Sequence, residues 1–94
     1  MTKTQQYFQD MLLMHEDLFK NFKSTHDKYA ENATEWKETF NEQGKEAHLV
    51  IQRYINKLCM KMESGRYGKF SSNLSDKFWE EVRKYFPKID EVGN

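Results

Sequence analysis

Ninety-four residues make one domain at most, since domains run to roughly 100–150 residues and a chain this short buries only about 60–65% of its unfolded surface. Lys and Arg number 15 and Asp and Glu 15, so the formal charge is zero, which excludes attachment to nucleic acid or acidic membrane by bulk charge. One proline, four glycines and one cysteine argue against a meander of tight hairpins and exclude an intramolecular disulfide and a four-cysteine zinc site.

No apolar run approaches the ~20 residues that span a bilayer. The opening stretch, MTKTQQYFQDMLLM, is too polar for a secretory signal. A soluble cytoplasmic helical domain covering residues 1–94 is the expectation. Aromatics make up 15% of the chain, and rings supply core area efficiently, so order is expected despite 32% charged residues.

From about residue 4 to 30 the apolar residues recur at helical spacing. Phe8, Met11, Leu18, Phe22 and Tyr29 fall on one stripe, with His15 and Thr25 in the same pattern. Glu16 and Lys20 are four apart in the favourable order on the opposite face. Asn32-Ala33-Thr34-Glu35 reads as a turn and a helix start, with Asn32 capping and Glu35 placed for a capping box. The triplet Asn32-Ala33-Thr34 is also a formal glycosylation sequon, of little weight without a secretory signal.

A second helix is predicted over 34–63. Trp36, Phe40, Ala47, Ile51, Tyr54, Leu58 and Met62 lie along one side. Gly44 interrupts it at a cost of roughly 1 kcal/mol against alanine. Either it admits a close neighbour, or it sits on the solvent side of a mild bend. Ser64-Gly65 ends the helix, and residues 65–73 read as a loop. Leu74, Phe78, Val82 and Tyr85 then define a short helix over 73–86, with Ser72 or Ser75 as cap and Pro87 as stop. Residues 88–94 read as a tail.

The fold class is thus all-α: a long antiparallel hairpin (4–30 and 34–63) with a short C-terminal helix (73–86), a helical bundle. Two rods of about 40 Å with one short companion leave apolar stripe uncovered, which points to a homodimer. The alternative is a monomer whose rods break near Thr25 and Gly44.

No catalytic constellation is present. No histidine has a carboxylate or second histidine three or four residues away, so the helical metal motifs are missing. His15 and His48 fall near the same level of the hairpin and could meet, but two imidazoles alone make a poor metal site. Cys59, near a helix C-terminus, reads as a packing residue. Gly65-Arg66-Tyr67-Gly68-Lys69 lacks the spacing of a phosphate loop. No cofactor is expected, and the chain reads as a non-enzyme.

Residues 66–88 interleave rings with basic residues. The reading as a compact aromatic core competes with the reading as a binding surface. Trp79 and Arg83, four apart and beside the buried stripe, join Arg66 and Tyr67 as a candidate partner-binding surface. Met11, Met14, Met60 and Met62 add to an excess of adaptable apolar side chains. The leading expectation is a non-enzymatic protein-interaction or regulatory module. A small-ligand or metal-binding bundle built on His15 and His48 is the alternative. A nucleic-acid accessory protein comes third, because acidic residues offset the basic ones in this stretch.

Overall fold

The computed structural model describes residues 2–63 and 70–93. Among these the chain forms helices α1 (Lys3–Met14), α2 (Glu16–Glu31), α3 (Ala33–Glu63) and α4 (Phe70–Tyr85), then a 3-10 turn at Ile89–Glu91, and no strand. It is an all-α helical bundle. No helix among the described residues is long and apolar enough to cross a membrane.

A capping box starts α1. The Thr2 hydroxyl accepts from the Gln5 amide at 3.1 Å, and the Gln5 side chain accepts from the Thr2 amide at 3.0 Å. The predicted single helix over 4–30 is two helices, broken at His15 (φ −124°, ψ 43°) rather than near Thr25. No glycine or proline marks the break, so packing sets it. Interrupting a helix forfeits hydrogen bonds worth about 0.5–1.5 kcal/mol each. In return α1 seats Phe8 edge-on against the rings of Phe78 and Tyr85 in α4. Phe8 and Met11 are buried, each worth about 1.5–3 kcal/mol.

Asn32 separates α2 from α3. Its side-chain oxygen accepts from the Glu35 amide at 3.2 Å, as expected of a cap. Its amide nitrogen donates to the Glu35 carboxylate at 2.9 Å, so Glu35 braces the cap side chain. α3 then runs unbroken through Gly44 for 31 residues. α4 begins at Phe70, so Ser72 and Ser75 lie within the helix instead of capping it, and 70–73 is not loop. The rest of the expected loop, with the end of α3 at Ser64-Gly65, lies outside the described residues.

The core is a column of rings. Tyr29 stacks on Phe40 at 4.0 Å and 6°, Phe40 on Phe22 at 5.6 Å, and Phe22 meets Phe86 at 4.9 Å. Aliphatic side chains of α3 (Ile51, Ile55, Leu58) continue it. Phe8, Met11, Phe22 and Tyr29 from the first stripe, and Phe40, Ala47, Ile51, Tyr54 and Leu58 from the second, are all buried inside this one chain. Leu18 and Trp36 of the same stripes are partly buried, and Met62 lies outside the residues whose side chains are described. Beyond the break at His15, α1 lies against α3 and α4, with Phe8 on the rings of Phe78 and Tyr85.

Residues 88–93 are not a tail. Phe86 and Ile89 are fully buried, and Val92 packs on the core. A Cβ on Gly44 would lie 2.5 Å from a Val92 methyl, so Gly44 is a close-approach glycine, and what approaches is the C-terminal turn.

Candidate interaction surface

Pro87 ends α4, and the chain doubles over the α2–α3 hairpin as a clasp. Three side chains of α2 hold it, and the last residue of α4 that leads into it, at one constant spacing. Lys23 Nζ donates to the Tyr85 carbonyl at 2.8 Å, His26 Nε2 accepts from the Lys88 amide at 3.0 Å, and the Tyr29 hydroxyl donates to Glu91 at 2.9 Å. Steps of three along α2 match steps of three along the clasp, so the two segments run parallel. The Tyr29 bond holds the Glu91 carboxyl below its ordinary range, and Glu91 makes the Tyr29 phenol harder to ionise. On the far side the Gly93 amide donates to the Asn41 side chain at 2.8 Å, with Gly93 at φ 89°, a conformation that favours glycine.

The clasp also meets α3 and α4, and there it builds a mixed surface. Arg83 on α4 grips Asp90 with two nitrogens at 2.9 and 3.4 Å, which raises the pKa of the guanidinium further. One turn earlier, Trp79 lies half-buried against the core, with its ring 5.2 Å from the ring of His48 on α3. His48 Nε2 lies 3.5 Å from the Ile89 carbonyl. Beside it Lys45, His48, Leu49, Val92 and Gly93 line a shallow depression of about 400 Å³. Leu49 is 67% exposed there.

Trp79 and Arg83 share one face of α4, as their spacing requires. Both are engaged within the chain, Trp79 by the core and Arg83 by Asp90. Arg66 and Tyr67 lie outside the described residues. Sequence reasoning missed His48 as a neighbour of Trp79, and Leu49 and Val92 as its companions in the depression beside it. One signal was available for Leu49: it is apolar on the polar side of α3, next to the inward-facing Val50 and Ile51.

The other histidines have different surroundings. His15 packs edge-on to Tyr54 at 5.7 Å, so α1 and the break set a register in which it does not pair with His48. Among the described residues no group of three or more His, Cys, Asp or Glu side chains converges to hold a metal. Of the methionines singled out, Met11 is fully buried, Met14 and Met60 are exposed, and Met62 lies outside the residues whose side chains are described.

Fold and surface together define an all-α bundle closed by a C-terminal clasp. No protein-family model matches the sequence, and comparison with curated proteins and solved structures finds no match.

Proposed function

We propose that this chain is a non-enzymatic interaction module that docks another protein on the face built from Trp79, His48, Leu49, Val92 and Arg83. The observation that carries this reading is a 67%-exposed leucine in one depression with His48 and Val92, where the His48 ring lies 5.2 Å from the ring of a half-buried Trp79. Leu49 takes no part in the buried core. Covering it and the rim of Trp79 removes apolar area from water at about 25 cal/mol per Å². Trp and Arg anchors dominate binding energy at protein interfaces, and an arginine already oriented by Asp90 loses little freedom on docking.

A protein partner fits this face better than nucleic acid. The Arg83 charge is matched by Asp90, and Lys23, Lys28 and Lys57 lie over rings of their own chain at 4.7–5.2 Å.

Photo-crosslinking tests the reading. A photoreactive residue is placed at Leu49 and, separately, at Leu13, which is equally exposed at the end of α1. The expected result is a discrete crosslinked protein at position 49 and none at 13. Equal, diffuse labelling at both positions would overturn it.

A further inference from the structure

His26 is 3% exposed and sits among the rings of Phe22, Phe40 and Phe86, with centroids 6.3, 6.1 and 5.7 Å away. Its two nitrogens have different partners. Nδ1 lies 3.2 Å from the Asp27 carboxylate, which can only accept. Nε2 lies 3.0 Å from the Lys88 amide, which can only donate. One tautomer satisfies both: proton on Nδ1, lone pair on Nε2.

We propose that His26 is a proton-sensitive latch, holding the C-terminal clasp on α2 while Nε2 is unprotonated and loosening it when the ring takes up a second proton from water. The added proton turns Nε2 into a donor facing another donor at hydrogen-bond distance. The Lys88 amide is then left without its acceptor in a partly buried site.

The charged groups around the ring do not reverse this. On α2, Asp27 already accepts from Nδ1 in the neutral ring and lies 3.5 Å from Lys23. On the clasp, Glu91 is engaged by Tyr29 and by Lys88 Nζ at 3.4 Å, and that ammonium repels an imidazolium. α3 presents the Phe40 ring to His26 and the clasp presents Phe86. His48 works in the opposite sense. Its Nε2 faces the Ile89 carbonyl, an acceptor, so protonation preserves that approach. The latch goes beyond the docking reading and stands whether or not a partner binds the Trp79 face.

The test is amide hydrogen exchange followed by NMR from about pH 7.5 to 5.5, corrected for intrinsic rates. Protection of the Lys88 amide is expected to fall about tenfold or more at the acid end. In His26→Gln the side-chain carbonyl offers an acceptor that does not titrate, and protection stays flat. His15→Gln and His48→Gln keep the wild-type response. A pH response surviving in His26→Gln, or no response in wild type, overturns the proposal. Should His26→Gln fail to fold, the wild type decides alone. The His26 ring shifts and the Lys88 amide shift must then titrate with one midpoint, and separate midpoints refute the latch.

Discussion

Gly44 shows how much one missing methyl group can hold in place. Alanine there gains roughly 1 kcal/mol in helix propensity. It also drives a Cβ into the branched side chain of Val92, which is pinned by the Gly93–Asn41 bond one residue on. Overpacking of this kind costs about 1–3 kcal/mol. Gly44→Ala is therefore expected to lower stability in urea unfolding, whereas adding it to Val92→Ala, where the crowding methyls are gone, is expected to raise stability relative to Val92→Ala alone. Glu91 makes a second residue-scale prediction. Its carboxyl is held below the ordinary value of 4.5, chiefly by the Tyr29 hydroxyl. The unfolded chain therefore takes up that proton more readily. The stabilisation is full above the ordinary value and is lost as pH falls through the lower folded value. Melting temperature measured through the acid range should fall less steeply in Tyr29→Phe than in wild type.

Among elements, the clasp contributes more than its length suggests. Ile89 is fully buried, and truncating a buried isoleucine to alanine costs about 2–5 kcal/mol. Ile89→Ala should thus destabilise the protein as much as a substitution in the middle of α3, as denaturant midpoints would show. The stripes of all four helices were legible in the sequence, because burial on one side of a helix forces the 3.6-residue period. Two features were not. The pattern runs through His15 without interruption, and only the rings of α4 waiting beside Phe8 explain why the helix breaks there. Ile89 and Val92 follow a proline and lie three apart in too short a segment to display a period. Trp79 and Arg83 sit on one helix at one spacing, whereas His48 comes from α3 and meets Trp79 only after folding, and Val92 reaches the depression beside it from the clasp.

Taken whole, the molecule is an elongated bundle with extents of 47 × 24 × 19 Å, spanned by α3. Most of its apolar stripes are buried among its own described helices, so sedimentation equilibrium at micromolar concentration is expected to give a mass near 11.4 kDa. A doubled mass would show that the chain self-associates. The three contacts between α2 and the clasp share one further property. Each joins residues 62 apart in the chain. The loop entropy of bringing such distant positions together falls on whichever contact forms first, and the others then close over only a few residues. Association of the two segments is therefore cooperative, all rungs or none. Amides across the 88–93 stretch should share one opening rate, and a perturbation at any rung should register at the others.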